Sequence, residues 1–257
     1  MTQDERLDYL LHCLLAERKE YADIHVPDSI LEKRHLLSSL MNVRPPVPAS
    51  AEFLAVQDAY LQERLAERGV IRLGDLKPAQ PGLYLWQGDI TTLAVDAIVN
   101  AANSQMLGCF VPCHGCIDNA IHTYAGVQLR LECAGIMRKQ GHEEETGTAK
   151  ITKGYNLPCR HVLHTVGPII HGSVTLTDQE LLASCYRSCL DLATEYGLHS
   201  VAFCCISTGE FHFPNELAAQ IAIQTVTDWH KQNSNQMEVI FNVFKDSDYE
   251  IYRRLLR

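Results

Sequence analysis

Past Gly82 the chain alternates short apolar runs with stretches of helical spacing, and that alternation leaves few folds open to it. The runs are Leu83-Tyr84-Leu85-Trp86, Ala97-Ile98-Val99, His161-Val162-Leu163-His164, Val201 through Ile206, and Val239-Ile240-Phe241. Continuous apolar segments of this length are what strands buried on both faces present. Helices between them imply right-handed crossovers and a mostly parallel sheet covered on both sides, hence an α/β fold. The clearest helix is expected to be capped by Thr177, with Glu180 three residues on, and to carry Leu181, Leu182, Cys185, Tyr186, Cys189, Leu190 and Ala193 before stopping near Gly197. Another is expected from Pro214 toward Trp229.

The chain before Gly82 reads differently. Leu7, Leu10, Leu11, Leu14 and Leu15 fall on one helical face, and the same spacing recurs over Ile30–Met41 and Phe53–Leu65. Arg44-Pro45-Pro46-Val47-Pro48 breaks the series, since proline lacks the amide donor and restricts its predecessor. Residues 1–75 therefore read as a helical extension packed against residues 76–257, with no chemistry of its own.

Composition narrows the function classes. A hydrophobic share of 46% in 257 residues supports a substantial core. The formal net charge of −9 argues against broad electrostatic capture of nucleic acid, which needs a basic face to displace counterions. The opening residues lack a basic leader pattern, and no apolar run approaches the roughly 20 residues that span a bilayer. A cytoplasmic protein that contacts neither membrane nor nucleic acid is expected. Of the ten cysteines, Cys185, Cys189, Cys204 and Cys205 sit in apolar segments and read as reduced core residues.

In a parallel sheet, ligands bind beyond the carboxyl ends of strands, so the residues leaving each run carry the functional reading. Asp89 follows the first run through Gln87-Gly88 and is either a turn residue or an acceptor for an amino group. Asn100-Ala101-Ala102-Asn103 leaves the second with two amides that either cap a turn or face a ligand. Ser207-Thr208-Gly209-Glu210-Phe211 offers hydroxyl and amide donors suited to a diphosphate, without the lysine and glycine spacing of a nucleoside-triphosphate loop. Gly108-Cys109-Phe110-Val111-Pro112-Cys113-His114-Gly115-Cys116 places four soft ligands on one loop. Three of them would hold zinc with an open coordination position; a closed site using Cys113, or a thiol cluster without metal, is the other reading. Asp118 then falls in the first turn of a helix, where the dipole and a nearby cation favour its ionised form, suited to accept a proton or orient a hydroxyl. His122, one turn on, reads as a core histidine satisfied by backbone.

Gln87-Gly88-Asp89-Ile90-Thr91, Asn100-Ala101-Ala102-Asn103, Ile117-Asp118-Asn119-Ala120-Ile121-His122, His164-Thr165-Val166-Gly167-Pro168 and Ile206-Ser207-Thr208-Gly209, in that order, resemble the macrodomain family. The resemblance implies a macrodomain-like three-layer α/β/α sandwich with a central mixed, mostly parallel sheet and a cleft for ADP-ribose. Hydrolytic macrodomains carry a run of glycines before the catalytic aspartate, whereas this chain has Cys109 through Cys116. That departure, with the N-terminal helices, is similar to the zinc-dependent microbial group. The resemblance implies that Asp89 and Ile90 meet adenine, that Ser207, Thr208, Gly209, Glu210 and Phe211 hold the diphosphate with Gly115, Cys116 and Ile117, and that Asn103 faces the distal ribose. It implies Cys109, His114 and Cys116 as ligands of Zn2+, and Asp118 with Asn103 as catalytic residues of a hydrolase that removes mono-ADP-ribose from a protein. A lipoyl-carrier protein as substrate and a sirtuin-like ADP-ribosyltransferase as functional counterpart follow from the same resemblance. A module that binds ADP-ribose without chemistry, its zinc only structural, is the other function such a chain could have.

Overall fold

The computed structural model describes residues 1–233 and 237–257. Its strands are β1 (Ile71–Arg72), β2 (Pro78–Gln80), β3 (Leu83–Gln87), β4 (Leu93–Ala94), β5 (Ala97–Ala101), β6 (Ala149–Lys153), β7 (His161–Thr165), β8 (Ser200–Phe203) and β9 (Glu238–Val243). Its α-helices are α1 (Gln3–Ala16), α2 (Ile30–Val43), α3 (Ala51–Arg68), α4 (Ile117–Ala125), α5 (Val127–Gln140), α6 (Leu176–Glu195), α7 (Asn215–Gln232) and α8 (Asp246–Leu255).

Seven strands form one sheet in the order β2-β3-β9-β8-β5-β7-β6, and β1 pairs with β4 apart from it. The five inner strands run parallel, while β2 and β6 close the two edges antiparallel. The five apolar runs are those inner strands. Ala97, Ile98 and Val99 of β5 and all four residues of β8 are buried, as central parallel strands require. Helices cover both faces, so the macrodomain-like α/β sandwich expected from sequence is the fold. The expected run to Ile206 is shorter as a strand: β8 ends at Phe203, and Cys204 through Ile206 carry the chain into the next loop.

The helix expected to be capped by Thr177 begins earlier. Thr175 is its cap: its hydroxyl accepts from the Asp178 amide while the Asp178 carboxylate accepts from the Thr175 amide. A threonine and an acid three apart satisfy two orphan donors reciprocally, and Thr175 with Asp178 does so two residues before Thr177 with Glu180 could.

The N-terminal helices have their own core of Leu7, Leu10, Leu11, Leu14, Leu37, Leu40, Phe53, Tyr60 and Leu61, which Val127 of α5 joins. α2 ends at Val43, where Arg44-Pro45-Pro46 follows. Gln57 of α3 is fully buried and accepts from the Val127 amide at 2.9 Å, so the extension is bonded to the sheet domain as well as packed on it. Cys185, Cys189 and Cys204 are buried and Cys205 half-buried, all as free thiols. Among the described residues no helix is long and apolar enough to cross a membrane.

Candidate active site

Parallel pairing of β5 with β7 sets Asn100 beside His164 on one face of the sheet. Both are fully buried. Asn100 Nδ2 donates to Asp118 Oδ1 at 2.8 Å and to His164 Nδ1 at 3.1 Å, and His164 Nε2 lies 2.9 Å from Thr152 Oγ1. Asn103, just beyond β5, does two things. Its Oδ1 accepts from the Gln105 and Met106 amides, as a turn cap does, while its Nδ2 donates to the Gly108 carbonyl and lies 3.4 Å from Asp118 Oδ2. The two asparagines thus reach the same carboxylate from opposite oxygens.

Asp118 is 5% exposed. Burial pushes its carboxyl up to about 6, against the pull of the Asn100 hydrogen bond and the Arg130 charge. The ionised form expected from sequence is thus less favoured than in an exposed aspartate, and a nearby cation would restore it. His122 is buried, as expected, yet backbone does not satisfy it. Neither ring nitrogen has a hydrogen-bond partner among the described residues; Nε2 comes within 3.5 Å of Asp118 Oδ1. Burial first, then the neighbouring His164 and Arg130, hold its pKa well below the ordinary histidine value. A side chain at Gly108 would come within 2.9 Å of the His122 ring, so glycine lets the loop lie against α4.

Beyond Gly108 the chain turns through the cysteine loop. Ligand atoms of Cys109, His114 and Cys116 all lie within 4.8 Å of one another, and Cys109 Sγ is 3.5 Å from His114 Nδ1. Zn–S and Zn–N bonds of about 2.3 and about 2.0 Å in a tetrahedron put sulfur and nitrogen about 3.5 Å apart, so the set fits zinc with one position open. Cys113 points elsewhere: its Sγ lies 3.2 Å from Ser39 Oγ and 3.5 Å from the His35 carbonyl, both on α2. That removes the four-ligand arrangement. Cys116 caps α4, its sulfur accepting from the Asn119 amide. Burial pushes the Cys116 thiol up to about 12, with Cys109 and Asp118 adding to the rise. Metal uptake there must release protons.

The loop after β8 faces this one, with Glu210 Oε1 3.5 Å from His114 Nε2. Ser207 holds a left-handed φ of 64°, and its buried hydroxyl has no partner among the described residues. A side chain at Gly167 would overlap that hydroxyl, so Gly167 brings the exits of β7 and β8 together. Of the two hydroxyls expected to serve a diphosphate, only Ser207's is uncommitted, because Thr208 Oγ1 donates to the Cys205 carbonyl at 3.0 Å. The amides of Gly209, Glu210 and Phe211 have no acceptor among the described residues, nor do those of Ile117 and Asp118 at the start of α4. Amides free on two facing segments make a cradle for anionic oxygens. At the far end Asp89 accepts from the Thr91 amide and hydroxyl and from Arg68 Nη1 at 2.8 Å, while the Ile90 side chain is buried in the main core.

Residues 99–222 match the family model described as "Macro domain". A "Protein-ADP-ribose hydrolase" of Treponema medium is 57% identical over 260 residues, covering 100% of both chains. This chain belongs to the Macro domain family. A protein of the same name from Staphylococcus aureus (strain MSSA476) is 51% identical over 96% of this chain and 94% of its own. The Trypanosoma brucei macrodomain in complex with ADP-ribose superposes with a TM-score of 0.67 at 31% identity, over 90% of this chain and 97% of that one.

Beside the motifs shared with other macrodomains, the site draws on residues that sequence reading left out. Asn100 and His164 lie inside those motifs, but only their strand register shows that they meet. Asn42, whose Oδ1 accepts from the Cys113 amide at 2.8 Å, and Arg68 come from the helical extension, where no chemistry was expected, and Arg130 comes from α5. No spacing rule marks them, because each reaches the site from a different element.

Proposed function

We propose that this chain hydrolyses the bond between ADP-ribose and a modified protein, using zinc held by Cys109, His114 and Cys116. The observation that carries the reading is the buried Asp118 carboxylate, held by Asn100 and Asn103 at the helix start that Cys116 caps. Family membership and the hydrolase name borne by the two relatives support it.

ADP-ribose would lie along the strand ends. Asp89 accepts from the adenine amino group, the free amides of Gly209 through Phe211 and of the α4 start receive the diphosphate, and Asn103 turns toward the distal ribose. Zinc held by Cys109, His114 and Cys116 would supply positive charge and Lewis acidity. Asp118 holds and deprotonates the water that adds to C1″, and the protein side chain leaves with a proton. Asn103 keeps the ribose from turning away, and Asn100 keeps the carboxylate aimed. Glu210, near His114 Nε2, orients the ligand imidazole in the manner of a carboxylate behind a metal-bound histidine.

On the same reading, the substrate is a lipoyl-carrier protein modified in the cytoplasm by a sirtuin-like ADP-ribosyltransferase, and residues 1–75 and 76–257 are the two structural parts of the hydrolase. The test is direct. ADP-ribosylated carrier protein is incubated with the enzyme, with and without a chelator, and free ADP-ribose is measured. Release that the chelator stops supports the zinc hydrolase; tight binding with no release supports a reader module instead.

A further inference from the structure

We propose that Asn42, on the second helix of the extension, is a positioning residue that holds the Cys109–Cys116 loop in the shape that brings its three ligands together. The inference rests on the reading in which that loop carries zinc.

Asn42 is fully buried, and both ends of its amide are used. Oδ1 accepts from the Cys113 backbone amide at 2.8 Å, and Nδ2 donates to Thr123 Oγ1 at 2.7 Å. Cys113 sits at a φ of 50°, a left-handed conformation that a non-glycine residue keeps only where its surroundings impose it. The Asn42 acceptor is what its amide finds there, one residue before His114. The Thr123 end ties the same side chain to α4. Thr123 in turn donates to the Asn119 carbonyl, Asn119 Nδ2 donates to the Val111 carbonyl, and the Asn119 amide meets Cys116 Sγ. One asparagine therefore links the middle of the loop to the helix that carries its last ligand.

A second clamp grips the loop's entry. Arg130 donates through Nε to the Leu107 carbonyl at 2.6 Å and through Nη1 to the Met41 and Arg44 carbonyls, which flank the end of α2. Its guanidinium also lies 4.4 Å from the Phe110 ring centroid. The end of α2 thus grips the loop at Leu107 through Arg130 and at Cys113 through Asn42. The extension is a wall of the metal loop.

Groups that hold ligands from behind typically change metal affinity by about 10- to 100-fold when removed. The experiment compares full-length Asn42→Ala with Gln57→Ala. Gln57 is an equally buried amide joining the extension to α5, bonded to Val127, Gln128 and Asp58 and, among the described residues, to no part of the metal loop. Two quantities are read: hydrogen exchange of residues 107–117 in chelator-treated protein, and zinc affinity by competition with a chromophoric chelator. Asn42→Ala is expected to speed loop exchange at least about 10-fold and to weaken zinc about 10- to 100-fold. Gln57→Ala, with each variant measured the same interval below its own thermal midpoint, leaves both within about twofold. Unchanged loop exchange in Asn42→Ala, or equal effects in both variants, overturns the inference. If Asn42→Ala does not fold, Thr123→Ala, which removes the acceptor anchoring Asn42 Nδ2, is expected to show the same pattern at smaller amplitude, and its absence overturns the inference equally. Wild-type protein that takes up no zinc refutes the metal reading alone, because the exchange comparison still decides on Asn42.

Discussion

Asn100 Nδ2 donates to Asp118 Oδ1 at 2.8 Å, and with its other hydrogen to His164 Nδ1, so one fixed amide decides which way the buried carboxylate faces. The arrangement also sets the tautomer of His164. Its Nδ1 accepts from Asn100, which leaves the proton on Nε2 to be donated to Thr152 Oγ1. A chain of side chains from the sheet edge thus ends on the group proposed to activate water.

If that chain orients Asp118, Asn100→Ala should lower kcat by about 100-fold, the typical cost of misplacing a reacting group by about 1 Å. ADP-ribose affinity should stay within about threefold, since Asn100 is buried behind the carboxylate. Single-turnover hydrolysis and calorimetric titration with ADP-ribose separate the two quantities. A variant with near-normal kcat would show that Asp118 needs no such support.

Asp118 itself works against stability when no cation accompanies it. Its folded pKa of about 6 lies above the ordinary value of 3.8, so its contribution is fully present below about 3.8 and is lost as pH rises through about 6. Asp118→Asn removes that loss. In chelator-stripped protein the variant should be more stable than wild type at pH 8 by on the order of 2 kcal/mol, with the advantage vanishing near pH 4. Hydrolysis should fall by roughly 100-fold or more, as for loss of a general base. Urea midpoints at pH 4, 6 and 8 test the first part; an advantage that persists undiminished at pH 4 would refute the electrostatic cause. Zinc should shrink the gap, because a dication favours the ionised carboxylate.

His164 gives the opposite slope. Burial holds its pKa down to about 4, below the ordinary 6.5, so its stabilising contribution is whole above about 6.5 and erodes as pH falls toward about 4. His122, shifted down by burial as well, acts in the same direction. Two histidines therefore oppose the one carboxylate over this range, and the protein should lose stability on acidification from pH 6.5 to 4.5. His164 alone accounts for up to about 3 kcal/mol of the full change. His164→Gln should be less stable at pH 7, having lost a buried hydrogen-bond network, yet show a flatter acid slope. An equally steep slope in the variant would assign the acid sensitivity to other groups.

What the sequence made legible follows from what is local in it. Central strands announce themselves because burial on both faces forces continuous apolar runs, and β5 and β8 were read that way. The edge strands β2 and β6 escaped, since Pro78-Ala79-Gln80 and Ala149-Lys150-Ile151-Thr152-Lys153 carry the mixed polarity of half-covered antiparallel edges. Cys109, Cys113, His114 and Cys116 lie within eight residues of one another, so spacing marks the loop as a metal-site candidate, while the choice of three among the four rests on the family resemblance. Asn42 and Arg68 could not be found so: an asparagine or arginine on an amphipathic helix is ordinary until the tertiary fold sets it against Cys113 or Asp89. The same holds for Cys113, whose exclusion from the ligand set depends on α2 lying beside it.

Arg68 is the last residue of α3, where a helix favours a cation, and it bridges two parts of the proposed nucleotide cleft. Its Nη1 donates to Asp89 Oδ2 and to Thr91 Oγ1, both at 2.8 Å, and its guanidinium lies 3.6 Å from the ring centroid of Tyr124 on α4. The arginine thus fixes the carboxylate proposed to accept from adenine and offsets its charge near an incoming diphosphate. Arg68→Met keeps an apolar stem against Tyr124 while deleting the fork. It should weaken ADP-ribose about 10-fold, equivalent to about 1.4 kcal/mol, and leave kcat at saturating substrate unchanged, since the distal ribose is proposed to lie at the other end of the cleft. Arg68→Lys should recover only part of the loss, because a point charge does not replace a planar guanidinium that donates to two acceptors and stacks on a ring. Calorimetry with ADP-ribose reads the affinity. Equal binding by wild type and Arg68→Met would mean that adenine is recognised without the carboxylate that Arg68 holds.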